Sequence, residues 1–439
     1  MKLDPLGDWR QTHRSIDVKP DLDGREIILF GWVQDIRDLG GIRFIILQDR
    51  EGTIQVTIPR KKVSSEVLSK SDSLQKRYSI GVKGIVKKTD MTPRAVEVIP
   101  KEIRIFTKAE LRLPIDVTGK TSAKIDVRLD ARALDLCQEE NIAVFKIQHT
   151  AVDAIRRFLF ERGFMEVHTP RIIASATEGG AALFPVEYFD TKAFLAQSPQ
   201  LYKEQLVMSI EKVFEIGPFF RAEESHTRRH LSEFVSIDIE QAFAKAQDVM
   251  KLLERLVQHV CKEINEKCPR ELQTLRHKIE VPEIPFKRLR YDDVLQDLKR
   301  EGIDLPWGDD VSTPAFRKLG KIHQYFYFIT DWPTSSKAFY IKPRRDHPEI
   351  CEGFDLMWSW VELASGGTRI SSKRALVERL REKGLKPDSF KYHIKAFEYG
   401  MPPHAGWAIG LERFTLMLTG KKNIREVSLF PRDRFRLTP

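Results

Sequence analysis

The hydrophobic pattern of the chain shifts from strand-like to helical near residue 143, and that change limits the fold more than any other feature. Up to about residue 108, apolar residues come in short runs rich in Ile, Val and aromatics. The runs are 26-EIILFGWVQDIR-37, 42-IRFIILQD-49, 53-TIQVTI-58, 78-YSIGVKGIVKK-88 and 96-VEVIPKEIRIF-106, each bounded by Gly, Asp or Pro, the marks of strands. One stretch among them, 63-VSSEVLSKSDSLQK-76, is helix-like. At 143-AVFKIQHTAVDAIRRFLFERGF-164 the period becomes helical. Val152, Ile155 and Leu159 fall on one stripe, Ala151, Ala154 and Phe158 lie beside it, and Gly163 is a natural stop.

Five strands with a helix between the third and fourth predict an OB-fold barrel over residues 1–108; an SH3-like barrel is the competing arrangement. The polar, Pro- and Gly-punctuated stretch 109-AELRLPIDVTGKTSAKIDVRLDAR-132 predicts a hinge, taken as residues 109–136. Beyond it, strands at 165-MEVHTP-170, 193-AFLAQS-198, 213-VFEIGPFF-220 and 234-FVSIDIEQAF-243 and a helix at 246-AQDVMKLLERLVQHVCKEIN-265 predict a second domain, 137–439, with a mostly antiparallel sheet flanked by helices. The fold class is thus α+β in two domains. Residues 270–345 carry no recognisable chemistry and are expected to form an insertion beside the core.

At 439 residues the chain exceeds one ordinary domain. Lys and Arg outnumber Asp and Glu by 73 to 63, a net charge of +10. That balance favours a polyanionic partner such as nucleic acid or nucleotide, although a basic soluble enzyme carries it too. Cys137, Cys261, Cys268 and Cys351 form no CxxC pair and sit beside no histidine pair at zinc spacing, so free thiols in a reducing cytoplasm are expected. The start, MKLDPLGDWRQ, has no apolar run of a signal peptide, and no stretch approaches the ~18 apolar residues of a membrane span. A cytoplasmic protein with no membrane partner is expected.

Four segments concentrate chemistry. In 219-FFRAEESHTRRHLSEFVSIDIEQAF-243, Arg221 and Glu223 would share one strand face, and Asp238 and Glu240 another on the returning strand. An ion-paired solvated face is the bland alternative, but the apolar flanks argue for burial, where charges need partners. In 404-HAGWAIGLER-413, glycines permit close backbone approach and Arg413 suits a phosphate, although Gly-x-x-x-Gly also describes tight helix packing. In 362-ELASGGTR-369, Glu362 and Ser365 could hold Mg²⁺ and Arg369 could clamp a carboxylate; a Gly-rich surface turn is the alternative. Finally, 174-ASATEGGAALF-184 has the makings of a mobile lid, and in 197-QSPQLYK-203 Gln200 and Lys203 stand one helical turn apart, able to face one ligand. No Walker or Rossmann phosphate loop is present. In the barrel, Arg37, Phe44 and Gln55 lie on successive strands as an aromatic flanked by an Arg and an amide, a way to stack and recognise unpaired bases; Phe44 as plain core is the alternative.

Together TEGG, QSPQLYK, FRAEE…RHLSEF, SGGTR and GLER, in that order and ending LFPRDRFRLTP, resemble the class II (subclass b) aminoacyl-tRNA synthetases, in the aspartyl branch of archaeal/eukaryotic type, over essentially the whole chain. The resemblance implies ATP as substrate with Mg²⁺, L-aspartate and tRNA-Asp as partners, and a homodimer built on the helix and strand ending at Pro170. It implies that Arg221 binds the α-phosphate and the aspartate carboxylate region, and that Glu223 contacts adenine with Phe234 stacked under the base. Arg229, His230 and Leu231 would lie in the loop holding ATP near the tRNA end. Gly410, Leu411, Glu412 and Arg413 would face ATP, with Arg413 on the γ-phosphate. Glu362, Ser365 and Asp355 would form the Mg²⁺ side. Gln200, Lys203, Asp238, Ser365 and Arg369 would grip aspartate, Lys203 and Arg369 at its side-chain carboxylate, with Glu178 on a closing loop. Arg37, Phe44 and Gln55 would contact the anticodon, Gln55 at its central U. The activity implied is ATP-dependent aspartyl transfer to the 3′-OH of the terminal tRNA adenosine.

Some residues depart from the family pattern. Thr368 stands where many relatives have Gln, 370-ISSK-373 lacks the usual polar pattern, and Trp407 replaces a smaller residue. At the two barrel positions that set tRNA choice, Pro93 leans towards relatives that also accept tRNA-Asn, while Gln34 matches neither common pattern. Among alternatives, an asparaginyl enzyme is disfavoured by Lys203, which rewards a carboxylate over an amide. A silent tRNA-binding paralogue is disfavoured by Arg221, Glu223, Glu362 and Arg413. An amidating paralogue would have no use for the barrel.

Overall fold

In the computed structural model, described for residues 3–110, 112–174, 183–222 and 227–439, the chain divides into two compact units, 1–142 and 143–439. In the first, β1 (Glu26–Asp38), β2 (Ile42–Asp49), β3 (Gly52–Pro59), β4 (Ser79–Lys88) and β5 (Val96–Thr107) close a barrel in the order β1-β2-β3-β5-β4. Helix α1 (Ser65–Asp72) falls between β3 and β4, and its N-cap Ser64 accepts from the Val67 N–H. The alternation on β1 explains the closure. Ile27, Leu29 and Val33 point inward to meet Ile45, Leu47, Val56, Val82 and Val98, all nearly solvent-free. The barrel is therefore the OB arrangement expected from the strand count.

Two short helices follow, α2 (Ile125–Asp130) and α3 (Arg132–Asp135), then the long α4 (Glu139–Phe160). Within the stretch expected to be a hinge, Lys120 pairs with Asp35 of β1; just beyond it, Gln48 donates to the Cys137 carbonyl. Helix α4 ends where predicted, with Gly163 at φ +76° and the Phe164 N–H returning to the Leu159 carbonyl.

The second unit is an eight-stranded sheet. Its strands in chain order are β6 (Met165–Glu166), then, after the small β7 (Ile172–Ile173), β8 (Pro185–Tyr188) and β9 (Thr191–Leu195), the strands β10 (Lys212–Phe220), β11 (Glu233–Ala242), β12 (Lys287–Arg290), β13 (Phe326–Thr330), β14 (Gly353–Trp358), β15 (Val361–Thr368) and β16 (His404–Gly410). The spatial order is β12-β13-β14-β15-β16-β11-β10-β6, antiparallel except at its two edges. Helices α5 (Gln200–Ile210), α6 (Ala246–Lys267), α7 (Pro269–Leu275), α8 (Tyr291–Arg300), α9 (Thr313–Ile322), α10 (Lys373–Glu382), α11 (Lys391–Ala396) and α12 (Leu411–Thr419) complete the unit. Residues 270–345, expected as an insertion, supply β12 and β13 to the sheet itself.

The two faces of the sheet have different jobs. On β11, Ile237 and Ile239 join Phe214, Trp407 and Ile409 in the core against α4, α6 and α12. The alternate residues Ser236, Asp238 and Glu240 are equally buried but on the opposite face. Side chains one residue apart thus separate an apolar core from a polar cavity.

Candidate active site

Two buried acids on β11 and a buried lysine on α5 set the floor of the cavity. Lys203 Nζ stands 2.9 Å from Asp238 Oδ1 and 3.5 Å from Glu240 Oε2. Arg369, just past β15, holds Glu240 with two contacts, Nε to Oε1 at 3.0 Å and Nη2 to Oε2 at 3.3 Å. Asp238 also accepts from Ser236 Oγ at 2.5 Å. These charged side chains are at most 3% exposed. Burying such a set wins little stability, because desolvation offsets the attraction, whereas removing one member costs about 3–5 kcal/mol. The arrangement is therefore better explained by a ligand than by folding. Gly406 makes room for it: a Cβ there would collide with the Ile239 carbonyl and the Glu240 carboxylate.

The cavity above this floor has a volume of about 300 Å³ and is lined by Gln200, Lys203, Asp238, Ser365 and Arg369. It is also lined by Arg221, Arg229, His230, Leu231, Phe234, Glu362, Gly410, Glu412 and Arg413. Residues from four separated segments, singled out in the sequence, thus converge on one space. Leu411 does not line it; this first residue of α12 packs into the core. Asp355 lies behind the wall, its Oδ2 2.6 Å from Lys337 Nζ, opposite Ser365 on the paired strand. Glu178 and Glu223 lie outside the described residues. Strand β10 closes at Phe220, so Arg221 sits just beyond it, held by its N–H to the Ser232 carbonyl at 2.9 Å.

The second half of the cavity gathers cations with few counter-charges. The Arg221 guanidinium lies 5.3 Å from the Phe234 ring centroid, and its buried Nε has no hydrogen-bond partner among the described residues. Arg229 donates to Thr313 Oγ1 at 2.7 Å and stacks 4.4 Å over Trp360. Arg413 reaches the Glu362 carbonyl at 3.3 Å. Burial, then the neighbouring guanidiniums of Arg413 and Arg317, push Arg229 down to about 10. Like charges held together in this way fit a polyanion that neutralises them. Behind the wall, burial pushes Asp355 up; Lys337 opposes this and the nearby Glu362 reinforces it.

Sequence reasoning missed Lys337 and Tyr340, which line the cavity from the 270–345 stretch. Neither carries a periodic or motif signal. The departures Thr368 and Trp407 turn away from the cavity: Thr368 Oγ1 accepts from the Ala246 N–H at 2.9 Å, and Trp407 Nε1 donates to the Val249 carbonyl at 3.0 Å. Both anchor α6.

On the barrel, Arg37 pairs with Phe44 across β1 and β2, and Phe44 with Thr57 and Ile46 with Gln55 across β2 and β3. Directly opposed residues share a face, so Arg37, Phe44 and Gln55 lie together on the outer surface. Phe44 is half-buried, not core. Gln55 Nε2 is held by Thr57 and Glu97 at 3.1 and 3.2 Å. Gln34 sits at an irregularity between Val33 and Asp35, and Pro93 is exposed in the β4–β5 turn.

Residues 124–434 match the family model described as tRNA synthetases class II (D, K and N), and residues 27–106 match that of the OB-fold nucleic acid binding domain. The chain is 50% identical, over 96% of its length and 99% of the relative, to an aspartate–tRNA(Asp/Asn) ligase of Archaeoglobus fulgidus. It is 49% identical, over 99% of its length and all of the relative, to that of Methanothermobacter thermautotrophicus. Among solved structures it resembles the asparaginyl-tRNA synthetase of Pyrococcus horikoshii complexed with asparaginyl-adenylate. The TM-score is 0.94 at 31% identity, covering 98% of this chain and all of that one.

Proposed function

Because the chain belongs to the class II aminoacyl-tRNA synthetases of the D, K and N group, we propose for it the activity named in its curated relatives, that of an aspartate–tRNA(Asp/Asn) ligase. Aspartate and ATP would form aspartyl-adenylate and pyrophosphate, and aspartate would then pass to tRNA-Asp and to tRNA-Asn. The observation that carries the choice of amino acid is the buried ammonium of Lys203, 2% exposed at the cavity floor. A carboxylate ligand gains from that charge, and an amide does not. With Arg369 beside it, the floor suits the aspartate side chain, and Asp238 suits its α-ammonium.

The chemistry asks for charge and alignment more than for covalent help. One aspartate α-carboxylate oxygen attacks the α-phosphorus, and the bond to pyrophosphate breaks. Arg221 is placed for the negative charge that develops there, and Arg229 and Arg413 for the departing phosphates. Phe234 offers a ring for adenine. The terminal tRNA hydroxyl then attacks the adenylate carbonyl, and AMP leaves. Mg²⁺ would be held by Glu362 and Ser365, with Asp355 behind them, a donor set of oxygens that suits a hard cation. Among the described residues, no cluster of three or more His, Cys, Asp or Glu side chains forms a metal site by itself, in keeping with an ion that arrives with the nucleotide. Bound there, it would neutralise phosphate charge.

The barrel face of Arg37, Phe44 and Gln55 would take unpaired anticodon bases, and the net positive charge suits tRNA. Exposed Phe160, Met165 and Ile172, 76%, 55% and 48% accessible, support a homodimer through the segment around Pro170. No helix among the described residues is long and apolar enough to cross a membrane; we place the enzyme in the cytoplasm, where tRNA is charged. Amino-acid-dependent ATP–pyrophosphate exchange tests the reading: aspartate should drive exchange, and exchange driven by asparagine alone would overturn it.

A further inference from the structure

Beneath the amino-acid end of the cavity lies a second layer that the mechanism does not use. Glu204, on α5 and fully buried, accepts from Gln200 Nε2 at 2.6 Å through Oε1. Its Oε2 faces two imidazoles: His404 Nε2 from β16 and His393 Nε2 from α11, each at 3.5 Å. Arg369 is the remaining charged group that acts on it. Gln200, unlike Glu204, lines the cavity.

The tautomer of His404 is fixed by its other nitrogen. Nδ1 lies 2.8 Å from the Pro402 carbonyl, which can only accept, so Nδ1 carries a proton. A neutral His404 would then aim its Nε2 lone pair at a carboxylate oxygen. The arrangement is satisfied when His404 is an imidazolium and Glu204 an anion. Burial alone would raise Glu204, but His404, His393 and Arg369 hold it down at about 2. Burial lowers His404, yet Glu204 and Glu240 outweigh it and raise it. Burial pushes His393 down, and Glu204 opposes that shift.

We propose that Glu204 is a positioning residue for aspartate: anchored by His404, its carboxylate takes the Gln200 amide N–H and so turns the Gln200 carbonyl oxygen to the cavity, where it accepts from the α-ammonium. The reason is one of donor count. A carboxylate cannot donate, so only the NH₂ end of Gln200 can face it, and the amide has a single orientation. This rests on the aspartate reading given above.

Glu204→Gln makes the idea testable, because the new amide has two orientations and His404 chooses between them. With His404 neutral, at high pH, the new NH₂ gives to His404 Nε2 and the new carbonyl still receives Gln200. With His404 protonated, the new carbonyl faces it, the new NH₂ faces Gln200, and the Gln200 amide must flip. Aspartate-dependent ATP–pyrophosphate exchange by the full chain would be measured from pH 5.5 to 8.5. The ratio of variant to wild-type KM for aspartate should be small at high pH and rise about tenfold as pH falls, the loss of one charge-assisted hydrogen bond. The ATP KM should keep a constant ratio, and in a Gln200→Ala background the pH-dependent difference should vanish. A pH-independent ratio in a variant whose His404 is protonated at pH 5.5 by ¹⁵N-histidine NMR, an equal rise for ATP, or persistence of the effect without Gln200 would each overturn the proposal. If the variant does not fold, or if losing the Glu204 charge leaves its His404 neutral throughout, ¹⁵N-histidine NMR of the wild type decides: His404 protonated at both nitrogens at neutral pH supports it, and a neutral His404 overturns it. Wild-type protein inert towards aspartate would instead defeat the reading of function.

Discussion

Lys203 and Asp238 face each other at 2.9 Å from α5 and β11, both all but sealed from solvent. An ammonium has three donors; Asp238 engages one, and Glu240 stands 3.5 Å away as a second counter-charge. A substrate carboxylate would complete the set. Lys203→Met should therefore raise the aspartate KM by at least about 100-fold, the scale of losing a buried charge partner, while ATP affinity persists. It should also lower Tm, since Asp238 and Glu240 lose a counter-charge. Pyrophosphate exchange with ATP binding measured separately checks this; unchanged aspartate kinetics would remove Lys203 from the site.

Arg413 contacts Glu362 only loosely, through a carbonyl at 3.3 Å and a carboxylate oxygen at 3.9 Å. The role we propose for it lies with the nucleotide. Arg413→Ala should raise the ATP KM about 10- to 100-fold, as loss of a charge-assisted contact does, with the aspartate KM little changed. Exchange assays varying each substrate in turn separate the two.

Glu412 titrates against its own burial. Its carboxylate accepts the Val235 N–H at 3.0 and 3.2 Å, but desolvation outweighs this and pushes it up to about 7 from 4.5. A raised carboxyl favours the protonated fold: its contribution is fully present below pH 4.5 and is lost as pH rises through about 7. Glu412→Gln keeps the acceptor without the charge. Thermal melts should find it more stable than wild type above pH 7, by a margin on the order of 3 kcal/mol, and with no such gain near pH 5.

On the barrel, Phe44→Ala should leave pyrophosphate exchange intact and lower kcat/KM for tRNA charging. The expected loss is between about 5- and 100-fold, the range for one stacked base. Equal losses in both assays would point to a folding defect.

What was legible in the sequence was what repeats or alternates. The barrel followed from five strand runs, and the split role of β11 from SIDIE, whose isoleucines and acids fall on opposite faces. Arg221, Arg369 and Arg413 were visible because each stands in a short charged or glycine-rich stretch, and Lys203 because it falls one helical turn from Gln200. Lys337 and Tyr340 were hidden because they sit in an aperiodic connection and reach the cavity only through the order of β13 and β14 in the sheet. Glu204 passed unnoticed as one acid on a helix; nothing local says that two histidines about 190 and 200 residues later close over it. Thr368 and Trp407 drew attention as departures, yet their side chains serve α6, a direction that one residue of strand register decides.

The chain is expected to charge two tRNAs with one amino acid. Purified tRNA-Asp and tRNA-Asn transcripts, each incubated with enzyme, ATP and labelled aspartate or asparagine, test it most directly. Aspartate should be esterified to both tRNAs and asparagine to neither; asparagine on tRNA-Asn, or aspartate on tRNA-Asp alone, would contradict it.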